Sequence, residues 1–241
     1  MILPQIRATF DDRYGRILAD LIGRNDPELR KSAHHRLEEE GLDALLDDPR
    51  TLNAVLAEER VQLPPAVIFY VLVRQALLEG GVDDRTTADY VASLILSFGH
   101  GKRAYRVSTS AKEEYYYLVD LVQGMGEADG REAFLLRSHL GNFSLWLTGL
   151  FPDYLESRVR RRGAPGIRYY EQMGSSGYRM ASASPEAERL GVEELLREVA
   201  VGFGEVRRAL NRLSDRHLWK SGSDPVGRLL REVGGSGPSR S

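Results

Sequence analysis

Cysteine is absent from this chain of 241 residues, which removes disulfides, thiolate zinc sites and cysteine nucleophiles at once. Long apolar runs are missing too. The best candidate, Ala66 to Val73, reaches eight residues before Arg74 and Gln75, well short of the ~20 that cross a bilayer. The opening residues MILPQIRATFDDRYGR lack a basic stretch followed by an apolar core, so the sequence reads as that of a soluble, cytoplasmic protein with no membrane partner. Strand signals are scarce: no Asn-Gly or Asp-Gly turn sits between alternating apolar runs, and β-branched residues are sparse outside Val67–Val73. No phosphate loop, dinucleotide fingerprint or Ser-His-Asp order is present, and no cofactor is expected.

What is present suits a helical protein. A composition 42% hydrophobic and 8% aromatic supports a sizeable core. Four stretches, Asp26-Pro27-Glu28, Asp48-Pro49, Ser184-Pro185-Glu186 and Asp224-Pro225, put a capping side chain before a proline. That proline sits at the first helical position, where its missing N–H costs nothing. Together they predict an all-α protein, a multi-helix bundle of roughly 8–10 helices with no significant sheet.

Three sections follow from the pattern: short helices over 1–62, a main bundle over 63–233 and a disordered tail over 234–241. Helices are expected near 11–23, 27–40 and 49–59. Pro64-Pro65 opens a helix apolar on every side, which Gly80-Gly81 separates from a second one starting at Asp84 or Arg85. Gly99 to Ser110 reads as a basic loop, with Ser110 and Glu113 as a capping box for a helix carrying Tyr115, Tyr116 and Tyr117, one ring exposed and two partly buried. Residues 132–150 form a central helix, and Pro152 starts another that ends on Arg160, Arg161 and Arg162. GSSG at 174–177 reads as a turn. Leu196, Val199, Phe203, Val206, Leu210, Leu213 and His217 make a heptad seam along one long helix, 192–217. That seam and the hairpin around 66–78 carry enough apolar surface for self-association.

Charge is unevenly spread although the net charge is only −2: residues 1–99 hold 11 basic and 17 acidic side chains, and 100–183 hold 12 and 9. The basic middle contains Lys102, Arg103, Arg106, Arg158, Arg160, Arg161, Arg162, Arg168 and Arg179, interleaved with Tyr169, Tyr170 and Tyr178. Arginine beside tyrosine is what phosphate binding or base stacking uses. The expected function is therefore a non-catalytic binding or regulatory one, in which this face meets an acidic protein, a nucleotide or a nucleic acid.

Glu132 and His139 lie two turns apart on the apolar stripe of the central helix: either His139 makes a structural hydrogen bond to a neighbouring helix while Glu132, in the first turn, is favoured by the helix dipole, or the two belong to a metal or acid-base site. The spacing Glu132-x6-His139 resembles one ligand segment of the heme-oxygenase-like diiron proteins, which would imply a helical-bundle metalloenzyme with both residues on iron. The later histidine departs from that pattern, because Asp215-Arg216-His217 has the wrong spacing. His139-Leu140-Gly141-Asn142-Phe143 also looks like the start of the lipid A late-acyltransferase motif, but Ser144 stands where that family has its acid. His34 and His35, one turn from Glu38 and Glu39, read as a surface face.

Overall fold

The computed structural model describes residues 1–57, 63–99, 101–108 and 113–218. Among these there is no strand, and the all-α expectation holds. The helices are α1 (Asp12–Ile22), α2 (Pro27–Glu40), α3 (Leu42–Leu46), α4 (Pro49–Ala57), α5 (Pro65–Glu79), α6 (Arg85–Phe98), α7 (Leu118–Glu127), α8 (Gly130–Leu150), α9 (Pro152–Arg162), α10 (Ile167–Ser182), α11 (Pro185–Leu190), α12 (Glu193–Val201) and α13 (Phe203–Leu213). Short 3-10 turns occupy Arg7–Thr9 and Gly101–Tyr105, and Ser214–Leu218 is a turn of π-helix. None of these described helices is long and apolar enough to cross a membrane. Asp224-Pro225 and the tail 234–241 lie outside the described residues.

The proline-led starts work as caps. Asp26 accepts from the N–H groups of Glu28 and Leu29, Asp48 from that of Arg50, and Ser184 from that of Ala187. Asp11 and Asp84 cap α1 and α6 in the same way. These bonds satisfy N–H groups that a helix start leaves open. At the other end, α9 stops on Gly163 with φ of 60°, a left-handed conformation that glycine adopts without the Cβ penalty.

α5 is the innermost helix: every residue from Val67 to Leu77 is buried. It packs on α6, α13 and α4, and the helices α1 to α4 pack on one another beside it. One continuous core runs from Ile2 to Leu213, so the amino-terminal helices share it with the bundle. Two polar devices fasten that junction. Arg74, 1% exposed, donates from Nε to Asp47 Oδ1 at 2.6 Å and from Nη2 to Asp83 Oδ1 at 2.5 Å, while Arg85 reaches Asp47 Oδ2 at 2.6 Å. Burial works against the Arg74 charge, but its carboxylate partners outweigh it and the guanidinium pKa rises. Asp89 accepts from the N–H groups of Ile6 and Arg7 at 3.0 and 3.2 Å and ties the chain start to α6.

The most extensive contact is between α8 and α10. GSSG is not a turn: residues 174–177 lie inside α10, so their N–H groups face along the helix and not toward a ligand. The glycines serve close packing instead. A Cβ on Gly177 would come within 2.8 Å of the Arg137 carbonyl oxygen and 3.0 Å of the Gly141 nitrogen, and one on Gly141 within 2.5 Å of the Tyr178 ring. Buried between the helices, Asn142 Oδ1 accepts from Tyr90 Oη at 2.6 Å and Tyr178 Oη at 2.9 Å, linking α6, α8 and α10.

Two other expectations are corrected. The 192–217 helix is divided at Gly202 into α12 and α13, although the seam residues from Leu196 to Leu213 are all buried. The helix expected from Ser110 begins only at Leu118; Ser110 is outside the described residues, and Glu113 to Tyr117 are not helical. Tertiary contacts hold that stretch open: Tyr115 N–H donates to the Tyr105 carbonyl at 2.7 Å, and Arg106 pairs with Glu114. In consequence only Tyr115 is partly buried, while Tyr116 and Tyr117 are exposed. These divisions, with the short α3 and α11, raise the number of segments above the expected 8–10.

If the α8–α10 contact depends on missing side chains, Gly177→Ala costs about 1–3 kcal/mol, because backbone atoms cannot move aside as a side chain would. Gly126→Ala, in α7 with nothing near its Cβ position, gains up to about 1 kcal/mol in helix propensity. Urea denaturation of both variants checks the opposite signs; equal effects would contradict the packing argument.

Candidate functional site: an arginine and tyrosine face

α8 ends where α13 closes it. Asn211 Nδ2 donates to the carbonyls of Thr148 and Gly149 at 2.7 and 2.9 Å, and Ser214 Oγ donates to that of Leu150 at 2.9 Å. These bonds satisfy carbonyls that a helix end leaves open. Pro152 then begins α9 at once, and its last turn holds Arg160, Arg161 and Arg162. After Gly163 the chain turns through Gly166 into α10, whose first turns carry Arg168, Tyr169 and Tyr170.

This hairpin collects a cationic group. Arg160, Arg161, Arg162 and Arg168 are exposed, and among the described residues their side chains make no ion pair and no hydrogen bond. Arg158 is half-buried between two rings, its guanidinium carbon 5.6 Å from the centre of Tyr117 and 5.7 Å from that of Tyr154. Cation–π contact of this kind holds a guanidinium in place without cancelling its charge.

The tyrosines extend the group sideways. Tyr105 lies beside Tyr116, ring centres 4.6 Å apart at 30°, and Tyr169 meets Tyr170 edge-on at 5.9 Å. Burial raises the pKa of the Tyr105 hydroxyl, and it raises that of Tyr170 against the opposing positive charge of Arg158. Two ring pairs, Tyr105 with Tyr116 and Tyr169 with the buried Tyr170, thus accompany the Tyr117 and Tyr154 rings that touch Arg158.

The sequence-based set is only partly brought together. Arg158, Arg160, Arg161, Arg162, Arg168, Tyr169 and Tyr170 share the hairpin, with Tyr170 itself mostly buried. Arg106 stands at the rim, its Nη2 donating to Glu114 Oε1 at 2.6 Å. Arg103 is half-buried, donates to the Arg106 carbonyl, and has its pKa lowered by burial. Lys102 belongs to the same 3-10 turn, but its side chain is outside what is described. Arg179, a little over three turns beyond the start of α10, approaches only Ser175 Oγ among the described residues, at 3.4 Å. Tyr178 is wholly buried on Asn142 and cannot face a ligand. Sequence reasoning missed Tyr105, Tyr116, Tyr117 and Tyr154; the available signal was the crowding of tyrosines between 105 and 170.

Glu132 and His139 part company. Glu132 is exposed in the first turn of α8, not buried on its stripe, while His139 is 2% exposed. The described residues contain no group of three His, Asp or Glu placed to hold a metal ion. His139 lies among rings, tilted against Phe98 at 5.6 Å and stacked on Phe143 at 6.1 Å, and its Nε2 is unpartnered. Burial lowers its pKa to about 3, helped by the positive charges of Arg103 and the terminal amine and opposed by a hydrogen bond with the Ala104 backbone. His34, on α2, meets Asp20 at 3.0 Å at the surface.

A histidine kept neutral by folding destabilises the fold wherever the unfolded chain takes up a proton and the folded one does not. That window runs downward from the ordinary histidine value of 6.5 toward about 3. Between pH 6.5 and pH 4.5 wild type should lose about 2–3 kcal/mol through this group. His139→Phe should flatten that slope in urea titrations at the two pH values; an unchanged slope would contradict the burial of a neutral imidazole. Comparison with protein-family models, curated proteins and solved structures found no match to this chain.

Proposed function

We propose that this protein binds, without catalysing a reaction, an anionic partner bearing phosphate or clustered carboxylate groups, on the face formed by α9 and the first turns of α10. The observation that supports this reading is the set of arginines left unanswered there: Arg160, Arg161, Arg162 and Arg168 lack any carboxylate partner among the described residues. Elsewhere Arg36 and Arg50 share Asp48, Arg74 and Arg85 share Asp47, and Arg207 approaches Glu171. Stability alone places the α9 arginines well, since cations at a helix carboxyl end meet its dipole favourably. It does not account for so many, nor for Arg158 held by two rings with no hydrogen bond from its guanidinium donors among the described residues. Guanidinium forks suit phosphate and carboxylate oxygens in paired hydrogen bonds. Arg103 and Tyr178 are left out of the binding set because both are engaged inside the protein.

The test uses inorganic tripolyphosphate and calorimetry. Each charge-assisted contact is worth about 1.5–3 kcal/mol, so Arg160→Glu with Arg161→Glu should weaken binding at least about tenfold while the helical circular dichroism is unaltered. Undiminished binding by the double variant would remove this face from the account.

A further inference from the structure

We propose that the ligand of this face is single-stranded nucleic acid, with its phosphates on the arginines of α9 and α10 and its bases against the exposed tyrosines Tyr116, Tyr117, Tyr154 and Tyr169. The inference rests on the reading of the face as an anion site and adds what the anion carries. Arginines alone would serve any polyanion; the tyrosines restrict the choice. Tyr117 and Tyr154 are each 52% exposed, Tyr116 45% and Tyr169 40%, so large aromatic surface stands in solvent beside unneutralised charge. Bases offer flat π-faces to such rings, and carboxylate side chains do not.

The order of groups fits a strand more than a compact anion. Arg158, with Arg161 and Arg162 one turn on, follows one side of α9, and Arg168 lies in the first turn of α10 after the short 163–166 connection. Arg158 touches the rings of both Tyr117 and Tyr154, Tyr116 precedes Tyr117 in the chain and lies against Tyr105, and Tyr169 adjoins Arg168 in α10. A ligand that answers both the arginines and the exposed rings carries negative groups and flat apolar ones together. In a duplex the base faces are stacked on one another and cannot meet side-chain rings, so the single strand is the form favoured. The nearest acid on α10, Glu171, is turned to Arg207 at 3.5 Å and so does not neutralise the arginines.

The experiment follows the anisotropy of a fluorescein-labelled thymidine oligonucleotide of about 20 nucleotides with the full chain. A duplex of equal length, tripolyphosphate and poly-glutamate are measured beside it. Single strand should bind at least about tenfold tighter than duplex and weaken steadily with salt. Tyr116→Leu and Tyr169→Leu, both surface changes checked by thermal melting, should each weaken it by about 5- to 100-fold and leave tripolyphosphate binding unchanged. Equal affinity for duplex and single strand, or tyrosine variants that match wild type, would overturn the inference and leave the anion site standing. Poly-glutamate bound as tightly as the oligonucleotide would overturn it in favour of an acidic protein. Failure of every polyanion, tripolyphosphate included, would overturn both.

Discussion

The backbones of α8 and α10 touch, and the rest of the arrangement depends on that contact. Gly141 and Gly177 remove the side chains that would separate the helices, and Gly174 does the same where α10 meets Phe203 and Ser144. Close approach alone would leave the partners free to slide. Asn142 prevents this, because its one oxygen receives hydroxyls from α6 and α10, and a buried acceptor moved off both would lose much of its hydrogen bonding. With α8 and α10 fixed, α9 has little freedom, since Phe151 alone separates it from α8 and residues 163–166 from α10. The arginines of the candidate face, with Tyr154 and Tyr169, are thus carried on a hairpin of two helices, while Tyr105, Tyr116 and Tyr117 lie on the turn and extended segment before α7.

Charge is managed differently on the two sides of the molecule. Where the amino-terminal helices meet the bundle, arginines are desolvated only alongside acids: Arg74 with Asp47 and Asp83, and the half-exposed Arg36 and Arg50 around the buried Asp48. Asp47 and Asp48 accordingly have lowered pKa values, although burial alone would raise them. On α9 the opposite holds. Its arginines stay in water, where mutual repulsion is screened and the helix end offsets part of it, and the positive potential is left available to a partner.

Much of the fold was legible because it rests on local rules. Capping side chains before Pro27, Pro49 and Pro185 begin helices as their chemistry requires, and the apolar stretch after Pro65 is the innermost helix. α10 escaped notice because its buried stripe, Tyr170, Gly174, Gly177, Tyr178 and Ala181, has helical period but little hydrophobic weight. Close packing of glycine against backbone leaves no mark in a hydropathy pattern. The start of α7 was misread because a local capping signal yielded to contacts from Tyr105 and Arg106, far enough away in sequence to be invisible to it. For the site, the arginine cluster could be seen directly. Its rings could not, since Tyr117 and Tyr154 meet at Arg158 only once α9 is folded against the 113–117 segment.

The central claim is that the α9 and α10 arginines, and not the paired ones elsewhere, meet the ligand. Arginine Nε–Hε NMR signals recorded during titration with a short thymidine oligonucleotide test it most directly. The account predicts that Arg158, Arg160, Arg161, Arg162 and Arg168 shift together while Arg36, Arg50 and Arg74 stay in place. Shifts confined to other arginines, or none at saturating oligonucleotide, would contradict it.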